Sequence, residues 1–254
     1  MISIEHLKQV VIPELFANCS AIGQYGSDLT TGDTITELSN LMEGGAASAL
    51  TEKIALILTK MSDASPERIA KPPTRLDRWL GRGLERHVRY RAARQTLEQL
   101  LLDAEVNAQG VRDSIQLLNR MIGSHEAEVS HITSLIQAGR EFLDDNPHAG
   151  LPRAGDITFE KPRERFARKL ANLATLLASH ELSINQMKLT RAQATDMLDR
   201  FQETVSVLVP VWRQHTLTLI STKNMNQALV AEATRAHQAL MSSLAKSLEG
   251  ISHN

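Results

Sequence analysis

Apolar residues recur at alternating steps of four and three residues along two long stretches of the chain. The first stretch runs from Leu97 to Leu143, and the second runs from Phe166 to Trp212. This heptad spacing is typical of helices that pack along a narrow seam, and such a helix needs partner helices to bury its stripe. The pattern predicts two long helices, at about residues 74–145 and 162–248.

Turn-forming residues separate these helices and precede the first of them. Residues 146–161 are rich in Asp, Asn, Pro and Gly, which predicts a loop that joins the helices as an antiparallel hairpin. Pro66, Pro72 and Pro73 break the chain earlier. We therefore predict an N-terminal region of short helices with linkers, residues 1–72, and a long-helix coiled-coil domain, residues 73–254.

Pro210 lies inside the second stretch, where its neighbours are apolar residues rather than turn formers. The heptad phase continues past it to Ala236 and Leu240. The favoured interpretation is a kink within one continuous helix. The alternative is a third helix that begins at Pro210 and folds back. The predicted fold is therefore all-α, either an elongated antiparallel coiled-coil-like hairpin or a three-helix bundle, with a proline kink.

Composition and charge narrow the classes of function. Hydrophobic residues make up 42% of the chain and aromatic residues 4%, a balance that suits helices with narrow seams. The formal net charge of -1 gives no basic field for nucleic acid. The single cysteine, Cys19, cannot form an intrachain disulfide and fits a reducing compartment. With no signal peptide or membrane span in the sequence, we expect a cytoplasmic protein that is at most membrane-associated.

No established catalytic signature occurs in the sequence. The phosphate loop, the dinucleotide fingerprint, the HExxH zinc motif and the GxSxG elbow are all missing. The nine histidines do not cluster along the chain, and His125, His180 and His215 fall at seam positions, where an imidazole can fix the register of helix pairing. We therefore expect no enzyme, no cofactor and no metal site.

The strongest local charge lies between Arg75 and Arg94, where seven arginines face only Asp77 and Glu85. The preferred interpretation is a solvated helix face over buried apolar residues. The alternative is a basic amphipathic helix that contacts an anionic membrane or an anion. The candidate contact residues are Arg75, Arg78, Arg82, Arg86 and Arg89.

The block from Leu182 to Leu229, with the run Val209 to Gln214 inside it, resembles the signature region of the TelA/KlaA toxic-anion resistance family. The resemblance extends over about residues 74–248, and in size the chain is most similar to the short plasmid-borne KlaA type. It marks four residues as candidates for an interaction or structural role: Pro210, Trp212, Arg213 and Gln214.

The resemblance implies a part in resistance to tellurite and related oxyanions. Reduction of tellurite would need a dithiol, flavin or nicotinamide site, for which the sequence offers no motif. We therefore expect a non-enzymatic protein that binds partner proteins, such as the products of neighbouring resistance genes. Peripheral membrane binding through residues 75–94 and direct oxyanion binding are the alternatives. Homo-oligomerisation stays open, because heptad seams suit a hairpin and a dimer equally.

Overall fold

The computed structural model describes residues 3–27, 45–71, 86–151, 161–221 and 227–249. The regular elements in these ranges are all helical, which confirms the all-α prediction. They are α1 (Ile4–His6), α2 (Ile12–Ala17), α3 (Ala46–Asp63), α4 (Pro66–Ala70), α5 (Arg86–Asp145), α6 (Pro162–Glu203), α7 (Val209–Ser221) and α8 (Gln227–Glu249). A π segment, Leu7–Val11, joins α1 to α2, a second, Thr204–Leu208, joins α6 to α7, and Cys19–Gln24 form a 3₁₀ helix.

Several helix ends follow from local residue chemistry. Ser3 and Ser65 accept hydrogen bonds from backbone N–H groups of the helices that they precede. Pro66 and Pro162 each occupy the first helical position, where a missing N–H costs nothing. Helix α5 ends at Asp145, as predicted, and Arg163 donates hydrogen bonds to the backbone oxygens of Leu143, in its last turn, and of Asn146, just after it.

The chain divides into two compact units, each of which combines distant parts of the sequence. Unit 1 contains Met1–Glu43 and Gln116–Ala192, and unit 2 contains Gly44–Ile115 and Gln193–Asn254. Both long helices, α5 and α6, therefore contribute residues to each unit. The boundary predicted near residue 73 lies outside the described residues and stays a prediction.

In unit 1 the N-terminal helices pack against α5 and α6. The hydroxyl of Tyr25 donates a buried hydrogen bond to the Leu135 carbonyl, and Lys8 forms ion pairs with Glu141 and Asp145, each at 2.9 Å. The apolar core here contains Leu7, Ile12, Ile22, Tyr25, Ile132, Leu135, Ile136, Ala138, Phe142, Phe166, Leu170 and Leu173. This packing buries apolar residues of the N-terminal region, for which the sequence predicted no packing partner.

In unit 2 helices α3 and α4 supply the packing surface for the long helices. The fully buried residues of α3 include Leu50, Ile54, Ile57 and Met61. They share one core with Leu97, Ala104, Ala108 and Val111 of α5, and with Phe201, Leu208, Val209, Trp212 and Ile220. Arg213 of α7 pairs with Glu98 of α5, which fits an antiparallel arrangement within this unit.

The seam residues lie where the heptad pattern places them. Every seam position from Leu97 to Leu143 and from Phe166 to Trp212 is buried or half-buried. Residues of the N-terminal helices pack on part of the seam in unit 1, and residues of α3 and α4 pack on it in unit 2. Coiled-coil supercoiling of the long helices stays a prediction.

Helical backbone continues through Pro210, as the favoured interpretation required. The π segment Thr204–Leu208 lies directly before it, and the Val209 N–H donates to the Thr204 carbonyl, five residues back. A proline ring clashes with the carbonyl four residues earlier, so a wider turn at this point accommodates it. The alternative, a helix that begins at Pro210 and folds back, is therefore wrong.

The single helix predicted to reach residue 248 is also wrong. Helix α7 ends at Ser221 and α8 begins at Gln227. Helix α8 packs against α3 and α4. His237 lies so close to His215 that the charge of His215 lowers the pKa of His237. In one straight helix these residues would be about 33 Å apart. The seam phase fails here too, because His237 is buried and Ala236 is exposed.

Within the described ranges, no helix combines the length and the apolar character needed to cross a membrane.

Candidate functional site

Trp212 anchors the motif run Val209 to Gln214 in the core of unit 2. Its side chain is fully buried, and its indole Nε1 donates a 2.8 Å hydrogen bond to the Ala64 carbonyl at the end of α3. The indole also stacks on the ring of Tyr90, with centroids 5.8 Å apart. The Thr216 hydroxyl donates to the Trp212 carbonyl one turn later. The tryptophan thus fixes α7 against α3 and α5.

Arg213 is held by an acidic residue of α5. Its Nη2 donates to Glu98 Oε1 at 2.9 Å, and Arg94 pairs with the same carboxylate oxygen at 2.8 Å. These contacts, led by the Arg94 hydrogen bond, hold the pKa of Glu98 below its ordinary value. Arg213 therefore joins α7 to α5, and its guanidinium is engaged within the unit.

The opposite side of α7 and of the π segment before it presents an exposed strip, here called the motif face, formed by Val207, Pro210, Gln214 and Leu217. These residues follow one another at steps of three, four and three, and all four are exposed. Val207 and Leu217 retain 44% and 43% of their accessible surface. The stretch from Val207 to Leu217 thus combines a buried anchor, Trp212, with a partly apolar outer surface.

The basic segment is only partly within the described residues. Arg75, Arg78 and Arg82 lie outside them. Arg86 is half-buried at the start of α5. Arg89 donates hydrogen bonds to the Arg68 and Lys71 carbonyls at the end of α4, so it serves as a C-terminal cap for that helix.

Two histidines that are far apart in sequence meet inside unit 1. His125 of α5 and His180 of α6 are buried, with their Nδ1 atoms 2.8 Å apart. Glu128, one turn after His125, brings Oε2 to 3.1 Å from His180 Nδ1. These three residues are the set among the described side chains whose ligand atoms lie close enough, within 4.8 Å of one another, to hold a metal ion.

The electrostatics of this cluster disfavour the protonated form of His125. Burial, and then the charge of His180, hold the pKa of His125 below its ordinary value, against an opposing effect of Glu128. Glu128 Oε2 and His180 Nε2 are buried and make no hydrogen bond of acceptable geometry. Leu118, Met121, Ile122, Ile184 and Met187 form the adjoining apolar cluster.

A second pair of histidines, His215 and His237, lies in unit 2, and His237 lines a cavity there. The cavity has a volume of about 470 Å³ and is lined by residues of α4 and α8, including Glu67, Arg68, Lys71, Thr234 and His237. Burial, and then the nearby His215, lower the pKa of His237, while a hydrogen bond to the Met61 backbone opposes this shift.

A second concavity, in unit 1, is basic. Arg165, Arg168 and Lys169 of α6 line it together with Asn172, Ile22 and Gly23, and its volume is about 280 Å³. The Lys169 ammonium donates to the Gly23 carbonyl at 3.1 Å. Three cationic groups thus line one small recess.

Sequence reasoning missed both histidine pairs, since it judged clustering along the chain. A usable signal was present for the first pair, because His125 and His180 are seam residues at nearly equal distances from the predicted loop. An antiparallel hairpin places such residues opposite each other. The second pair depends on the direction of α8, which the sequence pattern did not indicate.

Comparison with known proteins gives one strong relative. The chain is 62% identical over 250 residues to Protein KlaA of Escherichia coli, an alignment that spans 98% of this chain and 97% of the relative. No family model matches the chain. No solved structure matches it either.

Proposed function

The chain belongs to the family of Protein KlaA, and from this we propose that it contributes to resistance to toxic anions such as tellurite by binding a partner protein through the motif face. In this proposal the protein is cytoplasmic and non-enzymatic. Three parts of this proposal come from the resemblance to the TelA/KlaA toxic-anion resistance family. They are the resistance phenotype, the assignment to the plasmid-borne type, and the class of partner, namely products of neighbouring resistance genes.

The single observation that carries the proposal is the two-sided arrangement of the motif run. Trp212 is fully buried while Val207, Pro210, Gln214 and Leu217 are exposed on the same helical stretch. A rigidly anchored helix loses little conformational entropy when a partner covers its outer side. The motif therefore both stabilises unit 2 and offers a preorganised contact surface.

The chemistry of the motif face indicates the kind of surface that would cover it. Val207, Pro210 and Leu217 are apolar, Gln214 is neutral, and Ser206 beside them is also uncharged. Burial of about 25 cal/mol per Å² of apolar surface is the main gain available to such a strip. We therefore expect an apolar helix face on the partner rather than an acidic or basic one.

The test is bacterial survival over a tellurite series. We expect wild-type protein to protect cells and Leu217→Lys to lose protection, because a charge within an apolar contact would be desolvated without a partner. Leu182→Lys is the matched control, since Leu182 is a 60% exposed leucine of a helix in unit 1. Both variants should remain folded, because exposed substitutions usually change stability by only about 0.5 kcal/mol.

Two results would contradict the proposal. Full protection by Leu217→Lys would exclude the motif face, and failure of wild-type protein to protect would exclude the phenotype in that host. Cys19→Ser belongs in the same series. We expect it to protect like wild type, and a loss of protection there would point to thiol chemistry instead.

Direct oxyanion binding is a second candidate function, favoured by the basic recess of Arg165, Arg168 and Lys169. Clustered guanidinium and ammonium groups suit an oxyanion. Calorimetry with tellurite, selenite and sulfate separates this candidate from partner binding: binding heat that Arg168→Ala removes would support it, and no heat with any anion would eliminate it. Membrane contact through residues 75–94 is tested by flotation with anionic liposomes, where binding should weaken as salt is raised.

A further inference from the structure

We propose that His125, Glu128 and His180 bind one divalent first-row transition metal ion of the Zn²⁺ type. This inference does not depend on the proposed function, because the three residues lie in unit 1 and take no part in the motif face. It rests on the convergence of their ligand atoms and on the lack of a hydrogen-bonding arrangement that satisfies all three.

Hydrogen bonds alone do not explain why the ligand atoms of these three residues lie so close together. His180 Nδ1 lies 2.8 Å from His125 Nδ1 and 3.1 Å from Glu128 Oε2. A single Nδ1 carries at most one hydrogen, so His180 can donate to His125 or to Glu128 but not to both. Glu128 Oε2 is buried and makes no hydrogen bond of acceptable geometry. Whichever partner His180 Nδ1 binds, the third of these atoms is left without a hydrogen bond in a buried place, and a cation between the three would satisfy them all.

The donor set indicates the class of metal. Two imidazole nitrogens and one carboxylate oxygen suit Zn²⁺, Co²⁺, Ni²⁺ or Cu²⁺, whereas Ca²⁺ and Mg²⁺ prefer a shell of oxygen atoms. Two nitrogens on a tetrahedral Zn²⁺ are about 3.3 Å apart when each bond is about 2.0 Å. The imidazoles therefore need to separate by only about half an ångström from the 2.8 Å observed.

The positions of the residues support a built site. His125 and Glu128 are three residues apart on α5, so both project towards α6, and His180 meets them from that helix. Both histidines are more than nine-tenths buried, while the Glu128 side chain keeps 20% of its surface accessible. Metal entry is therefore expected from the Glu128 side. Three protein ligands leave one coordination position for water or another small ligand.

Metal binding by the full-length chain tests the proposal. Protein freed of metal by a chelator is titrated with Zn²⁺ against a chromophoric competitor, and Co²⁺ is added separately to record its visible d–d absorption. We expect one Zn²⁺ per chain and a Co²⁺ spectrum of a low-symmetry, four-coordinate site. His148→Ala removes an exposed histidine of the same unit and should leave the affinity unchanged.

Variants of the ligands decide the assignment. His180→Gln should abolish stoichiometric binding and the Co²⁺ band. Glu128→Gln keeps the shape of the side chain and should weaken binding by more than about tenfold, since loss of a mere outer-sphere partner already costs about 10–100-fold. Far-UV circular dichroism checks folding, and the partly accessible Glu128 provides the decisive variant if His180→Gln does not fold. Absence of stoichiometric binding by wild type, or wild-type affinity in folded Glu128→Gln, would overturn the proposal.

Discussion

The hydrogen bond between Trp212 and Ala64 should make Trp212→Phe strongly destabilising. The indole Nε1 reaches the Ala64 carbonyl at 2.8 Å, and the side chain is fully buried. Phenylalanine retains an aromatic ring against Tyr90 but cannot donate this bond. The substitution therefore separates the role of the polar N–H from that of aromatic packing.

The magnitude follows from two contributions. Leaving the partly buried Ala64 carbonyl without its donor costs about 1–3 kcal/mol. The smaller ring leaves a cavity on the order of 40 Å³, which at about 24 cal/mol per Å³ adds about 1 kcal/mol. The free energy of unfolding should therefore fall by about 2–4 kcal/mol.

Urea unfolding followed by far-UV circular dichroism measures this change. Tyr90→Phe is the matched control, because it keeps the ring that stacks on Trp212 and removes only a hydroxyl. We expect the control to lower the free energy of unfolding by less than about 1 kcal/mol. A similar loss in both variants, or a loss below about 1 kcal/mol in Trp212→Phe, would refute the reasoning from the hydrogen bond.

Two further predictions concern unit 1 and the second histidine pair. A Cβ at Gly139 would lie 2.5 Å from Leu170 Cδ2 and 3.2 Å from Phe166 Cζ, whereas a Cβ at Gly123 would meet nothing within 4 Å. Gly123→Ala should therefore stabilise the protein by about 0.5–1 kcal/mol. In urea unfolding, Gly139→Ala should be less stable than Gly123→Ala by at least about 1 kcal/mol. Equal stability of the two variants would contradict the close approach of the helices at Gly139. The pKa of His237 is lowered by burial from its ordinary value of 6.5, so the unfolded chain binds this proton more readily. Stability should be complete above pH 6.5 and fall as the pH drops below it towards the folded-state pKa. His237→Gln should flatten this pH dependence in denaturation curves, and an unchanged slope would show that His237 does not cause it.

The two long helices illustrate what periodicity can establish. The end of α5 at Asp145 and the start of α6 at Pro162 agree with the prediction, because turn-forming residues and proline act locally. The inward orientation of the seam residues is equally local, since it depends only on 3.6 residues per turn.

The course of the chain after Ser221 illustrates what periodicity cannot establish. The heptad phase continued to Leu240 in the sequence, yet α8 packs against α3 and α4 with His237 inward. Helical propensity and phase are the same for a helix that continues and for one that folds back. The choice between them depends on the surface that α3 and α4 offer, which is set by residues far away in the sequence.

The sequence by itself therefore determined the all-α class, the end of α5 at Asp145, the start of α6 at Pro162 and the inward side of the seam residues, because each depends on residues a few positions apart. Only the tertiary structure decided that Trp212 binds Ala64, that residues 3–27 cover α5 and α6 in unit 1, and that His125 meets His180. These contacts join residues that are distant in sequence. Their pairing is selected by complementary shape and burial, which periodicity along one chain does not encode.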